Sequence, residues 1–222
     1  MKSITRFFFI LLSLAVLPVA AQAKGDPVVI NKINFKSINK NEIQRSDGPW
    51  QRIEVIIEAK ENPDEKASNP QWVRNVDVGL TLVYKDEKAS DKNNPESMIV
   101  MQAKARLFAI QVGKKVPVVF YIPWEAYNVY RLSGDAFAWS VDLSVGGKQI
   151  ELTKSNLKTM LSKSILKSSD PKQAYDSYKA LIASASKANE GVLIPFPKAP
   201  YNVMFYEFEK GGNTPFPSYI TE

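Results

Sequence analysis

The 222-residue chain contains neither cysteine nor histidine. With no thiol and no imidazole it has no Ser-His-Asp or Cys-His site, no soft or imidazole metal ligand, and no side chain that ordinarily titrates near neutral pH. Lipid attachment through cysteine is excluded in the same way. So are disulfides, so the fold must be held by its core alone. There is no P-loop, no G-x-G-x-x-G, no D-x-D-x-D-G calcium loop and no N-x-S/T sequon. Asp64-Glu65 and Asp86-Glu87 are flanked by lysines, which argues against calcium, and no cofactor is expected. Carboxylate pairs of the glycosidase type survive this exclusion, because any two acids can converge in space. Glu125 beside Trp124, and Asp142 three residues after Trp139, are the acids to examine. Their expected state is that of ordinary solvated carboxylates.

Long apolar runs are absent except at the start. Lys2 and Arg6 precede an uncharged stretch from Phe7 to Ala20, which is broken at Pro18 and followed by Ala21-Gln22-Ala23. This order of basic, apolar and small-residue regions predicts a secretory signal peptide over residues 1–23, cleaved after Ala23. The run is short of the ~20 residues of a membrane-spanning helix, so no transmembrane segment is expected after cleavage. Removing residues 1–23 takes away two cations and no acid, and the rest stays mildly basic. Acids neighbour most of those cations, as in Lys85-Asp86-Glu87-Lys88, which gives nucleic-acid binding little support. An exported, cysteine-free chain without a glycosylation sequon fits the bacterial periplasm, outer membrane or cell surface.

What is present in abundance is period-two alternation. Val28–Ile38 reads as an edge strand, Gln51–Ala59 buries Ile53, Val55, Ile57 and Ala59 on one face, and Trp72–Tyr84 alternates Val76, Val78, Leu80 and Leu82 with polar residues. Met98–Gln111 and Val116–Ile122 follow the same rule. Pro117 marks the second of these as lying at an edge or starting beside the proline. The clearest pattern is Phe137–Leu152, where Phe137, Trp139, Val141, Leu143 and Val145 share one face and Gly146-Gly147 supplies a two-residue hairpin turn. Trp139 is expected between the sheets as the central core anchor. Between these strands, Glu61–Pro70 and Lys85–Glu96 read as polar loops. Pro123–Leu132 reads as a helical turn crossing between sheets, with its aromatics as plugs. Tyr127 or Tyr130 could supply the hydroxyl-to-backbone bond of a tyrosine corner. Seven strands with short or polar connections predict an immunoglobulin-like antiparallel β-sandwich over residues 24–152.

Residues 153–222 change period. Leu157, Met160, Leu161, Ile165 and Leu166 predict an amphipathic helix, basic through Lys154, Lys158, Lys163 and Lys167 and packed on the sandwich. Asp170-Pro171 with Gln173 predicts the start of a second helix that buries Ala174, Tyr178, Leu181, Ile182 and Ala185 and stops near Gly191. The remainder is rich in proline and carries Phe196, Tyr201, Phe205, Tyr206, Phe208, Phe216 and Tyr219. Tyr201–Glu209 reads as an eighth strand, with extended, polyproline-like chain before it. These seven aromatics are the candidate interaction residues, whether packed on their own domain, donated as a strand to a neighbour, or stacked on sugars.

A signal peptide, a cysteine-free seven-strand sandwich and a helical, aromatic C-terminal part together resemble the small exported immunoglobulin-like proteins encoded beside type IV pilus genes. The resemblance covers residues 24–152 in outline and rests on architecture. It implies a non-enzymatic envelope or surface protein whose partners are pilus or outer-membrane proteins. A second reading is a carbohydrate-binding module for surface glycans, and a third is a glycoside hydrolase built on an acid pair.

Overall fold

In strand β2 (Trp50–Ala59), Ile53, Val55, Ile57 and Ala59 are completely buried, and the strand lies between β1 (Val28–Ile38) and β5 (Lys115–Ile122), antiparallel to both. The register sets Ile53 against Phe120 and Val55 against Val118, so the apolar alternation of two strands shares one face. The second sheet is built the same way around β3 (Trp72–Lys85), flanked by β4 (Met98–Gln111) and β6 (Ala138–Val145). Its Val76, Val78, Leu80 and Leu82 meet the first sheet in one core. The computed structural model describes residues 25–85, 98–132, 134–167, 170–185, 192–210 and 216–221. The expected signal peptide, nearly all of the 85–96 loop, and Gly191 lie outside the described residues.

With the short strands β7 (Lys148–Gln149), β8 (Ile194–Pro195) and β9 (Ser218–Tyr219), the sheet orders are β1-β2-β5-β8 and β7-β6-β3-β4-β9. In sequence-order letters the first three strands of one sheet are A-B-E and the strands of the other begin G-F-C, the arrangement of immunoglobulin-like sandwiches. The edge beside strand E is here taken by β8 (Ile194–Pro195), which comes from the C-terminal part, as does β9 (Ser218–Tyr219) beside β4. Nine described strands thus extend the seven expected ones. Helix α1 (Trp124–Tyr130) makes the crossing from β5 to β6.

Pro117 sits where the sheet can tolerate it. The Val119 N–H turns away from β2 toward the Tyr219 hydroxyl at 3.4 Å, so the donor that Pro117 lacks would also point away from β2. There β8 pairs only with Phe120 and Tyr121, which leaves that stretch of β5 an open edge.

Gly146 and Gly147 take φ of 56° and 80°, as a primed hairpin turn requires, but the returning strand β7 is only Lys148–Gln149. Trp139, paired with Leu82, packs against the core from a half-buried position, so the centre belongs to the fully buried Phe120 and not to Trp139. Phe137 lies outside β6, 49% exposed beneath the Lys85 ammonium. The Tyr127 hydroxyl bonds the Gln51 side chain at 3.2 Å, so its corner bond is to a side chain and not to the backbone.

Helices cover both outer faces. The single amphipathic helix expected from Leu157 to Leu166 is two one-turn helices, α2 (Leu157–Met160) and α3 (Lys163–Leu166). The break falls at Leu161, which is extended and bridges Ser140, while the Ser162 N–H donates to the Trp139 carbonyl at 3.0 Å. Pairing with the sheet outweighs one more helical turn there. Helix α4 (Pro171–Ala185) begins as expected, with the Asp170 carboxylate accepting the Lys172 and Gln173 amides. Its Tyr175 and Tyr178 are buried over Val83, Val100 and Ala138 on the outer face of the second sheet.

Tyr201–Glu209 is helical and not the eighth strand expected. Helix α5 (Tyr201–Lys210) starts at Pro200, whose carbonyl accepts the Val203 and Met204 amides. Its buried residues Val203, Tyr206 and Glu207 recur at helical spacing, and it lies on the outer face of the first sheet.

Candidate interaction surface

The roll of α5 is set by polar anchors. Arg52 and Tyr121 stand on the outer face of the first sheet, Arg52 on β2 and Tyr121 opposite it on β5. Both are buried under α5, and both reach Glu207, which is 2% exposed. Arg52 donates from Nε at 2.6 Å and from Nη2 at 3.1 Å, and the Tyr121 hydroxyl donates at 2.5 Å. A forked guanidinium-carboxylate pair has one geometry, so it orients as well as attracts. Burial alone would lower the Arg52 guanidinium, but the hydrogen bond and charge of Glu207 outweigh it and the group is held above its ordinary value. The Tyr121 hydroxyl is pushed up by burial and by the Glu207 charge. On either side, Lys36 donates to the Tyr206 hydroxyl at 2.8 Å, and the Asn202 amide donates to the Gln44 carbonyl at 2.9 Å.

With that side pinned, the opposite side faces out. Tyr201, Phe205 and Phe208 fall at i, i+4 and i+7, one stripe along the helix. Tyr201 is 79% and Phe208 73% exposed, while Phe205 is half-buried and stacked on Tyr201 with ring centres 6.2 Å apart. Met204 flanks the row. Phe208 also meets Phe196 edge-on at 6.3 Å, and Phe196 stacks on Phe216 at 4.8 Å and touches Tyr219.

The seven aromatics therefore divide. Phe196, Tyr206, Phe216 and Tyr219 pack against the domain itself, and the first of the two sheets reaches the second through them, since Phe196 follows β8 and Tyr219 lies in β9. Tyr201, Phe205 and Phe208 form the outward row. The two acids singled out in the sequence sit on separate elements. Glu125 is exposed on α1, and Asp142 on β6 accepts the Tyr175 hydroxyl of α4 at 3.3 Å. Among the described residues no cluster of acids has the makings of a metal site.

The anchor of α5 could not be read from sequence. Arg52 and Glu207 are 155 residues apart, and each looks like an ordinary polar position of an amphipathic element. The i, i+4, i+7 spacing of Tyr201, Phe205 and Phe208 was the available sign of a helix, masked by the β-prone composition of YNVMFYEF.

No protein-family model matches the chain, and no characterised protein matches it by sequence. A solved structure of a protein from Akkermansia muciniphila superposes on it with a TM-score of 0.51, over 88% of this chain and 93% of that one, at 13% identity. The two share a fold across nearly their whole lengths. Among the described residues no helix is long and apolar enough to cross a membrane.

Proposed function

We propose that the protein is an exported, non-catalytic interaction protein of the bacterial envelope, associated with a type IV pilus-like assembly, and that α5 carries its contact surface. The observation that supports this reading is the outward aromatic row Tyr201, Phe205 and Phe208, held in place by a buried ion pair on the other side of the same helix. Single exposed apolar residues are ordinary, whereas an aligned aromatic row is the composition of an interface core. Its partner is an apolar face on another envelope protein. The row offers one hydroxyl, that of Tyr201, and no amide or charge, which suits a protein surface better than the many hydroxyls of a glycan.

The test is to express a Tyr201→Ser, Phe205→Ser, Phe208→Ser variant in the native bacterium and fractionate the envelope. The variant is expected to be exported and folded, because these side chains leave the anchors of α5 untouched, and to leave the outer-membrane and pilus fraction. Co-fractionation equal to wild type would contradict the proposal.

A further inference from the structure

At the far end of β3 the ladder to β4 is interrupted. Arg74 pairs with Ala109 and Val76 with Leu107, so Asn75 and Phe108 are both left out, and Asn75 takes a left-handed φ of 53°. The interruption keeps Val73 and Val76 in the core and turns Trp72 and Arg74 together onto the outer face. They line a groove of about 730 Å³ between the 62–69 loop and the Gly146-Gly147 hairpin, with Asp64, Lys66, Asn75 and Lys148 around them. That volume is in the ~300–1,000 Å³ range of clefts that hold small ligands.

The groove is pre-shaped. The Asn62 amide donates to the Trp72 carbonyl at 2.8 Å, the Trp72 N–H donates to the Asn69 carbonyl, and the Val112 N–H ties Gln71 to the end of β4. Trp72 is thus clamped by its backbone while it stays 43% exposed, so its indole is presented at the groove from a fixed stretch of chain. The Arg74 guanidinium lies over the Phe108 ring at 5.6 Å, which holds it without using its donors. Among the described residues no carboxylate forms an ion pair with Lys66, Arg74 or Lys148, and Asp64 is the groove's one acid.

We infer that this groove binds an anionic oligosaccharide, with the Trp72 indole stacked on a pyranose ring and Arg74, Lys66 and Lys148 pairing with its carboxylates or sulfates. Three cations against one acid select negative charge, and a clamped aromatic beside exposed amides suits a ring with an apolar face and a hydroxyl edge. A nucleic acid offers the same charge, and the choice of a glycan rests on the export proposed above, which would set the groove against acidic polysaccharides of the envelope. The inference is independent of α5, which lies on the other sheet.

The test is a calorimetric titration of the exported protein with hexasaccharides of heparin, chondroitin sulfate and polygalacturonate, alongside neutral xylohexaose, polyglutamate and single-stranded DNA. At least one acidic hexasaccharide is expected to bind and to weaken steeply with added salt. Trp72→Ala is expected to weaken it at least tenfold, and Lys66→Gln, Arg74→Gln and Lys148→Gln several-fold each. All four positions are exposed, so these variants keep the fold, and Phe208→Ser is expected to bind as wild type. Absence of binding by all three acidic hexasaccharides at millimolar concentration would overturn the inference. So would binding unchanged in both Trp72→Ala and Arg74→Gln, or polyglutamate or DNA binding as tightly as the best glycan.

Discussion

Replacing Glu207 by alanine strands a guanidinium that is itself buried under α5. Removing one partner of a buried pair costs about 3–5 kcal/mol, a large share of the roughly 5–15 kcal/mol of a typical domain. Glu207→Ala is therefore expected to lower the denaturant midpoint sharply, whereas Arg52→Met, Tyr121→Phe and Glu207→Leu combined should recover most of the loss, since they leave no buried partner of Glu207 unpaired. A single variant melting like wild type would refute the anchor. For the core, Phe120→Ala is expected to cost about 3–5 kcal/mol and half-buried Trp139→Ala distinctly less, as chemical denaturation can measure. Two acids give opposite pH behaviour. Burial alone would raise the Asp77 carboxyl, but hydrogen bonds from Arg106, Lys104 and Ser144 outweigh it and hold it below its ordinary value. Its stabilisation is present above the ordinary carboxyl range and is lost as pH falls through the lower folded value. Burial raises Asp142, against the opposing Tyr175 hydrogen bond and Lys179 charge, so its ionisation costs stability as pH rises through the window above its ordinary value. Melts across pH are expected to show Asp77→Asn less stable and Asp142→Asn more stable than wild type at pH 7, both differences fading on acidification. Differences that grow on acidification would contradict these assignments.

At the scale of elements, what could be read from sequence depended on where each element's partner lies. Strands β2, β3, β4 and β6 bury one face against the opposite sheet, so alternation along the chain recorded them almost to the residue. The hairpin at Gly146-Gly147 was equally clear, because only positive φ closes it. The C-terminal elements answer to distant neighbours. Leu161 leaves the helical path because Ser140 offers a bridge, and YNVMFYEF becomes a helix because Val203, Tyr206 and Glu207 find partners on the first sheet. Neither neighbour is visible from local pattern, and the same holds for the Arg52 to Glu207 pair. Lys163→Pro tests the break. Lys163 is exposed and is the first residue of α3 after an extended Ser162, a position that favours proline, whereas in the interior of one continuous helix proline costs ~3 kcal/mol or more. The expected loss is well below that, by thermal melting, and a loss of that full size would favour a continuous helix in solution.

For the whole molecule, the chain is a sandwich closed along one side by its own C-terminal part. Strand β8 extends one sheet, β9 extends the other, and Phe196, Phe216 and Tyr219 meet between them. Export bears on everything proposed for its function, and the expected cleavage after Ala23 is checked by mass spectrometry of protein recovered from the native envelope. A mature chain beginning at Lys24 is expected, and Met1 retained would contradict it. Contact between the aromatic row on α5 and an envelope partner is tested by placing a photo-crosslinking residue at position 208 in living cells. Irradiation is expected to give one dominant adduct with an outer-membrane or pilus protein, absent when the same residue stands at exposed Val129 on α1. No adduct at 208, or the same adducts from both positions, would contradict the account.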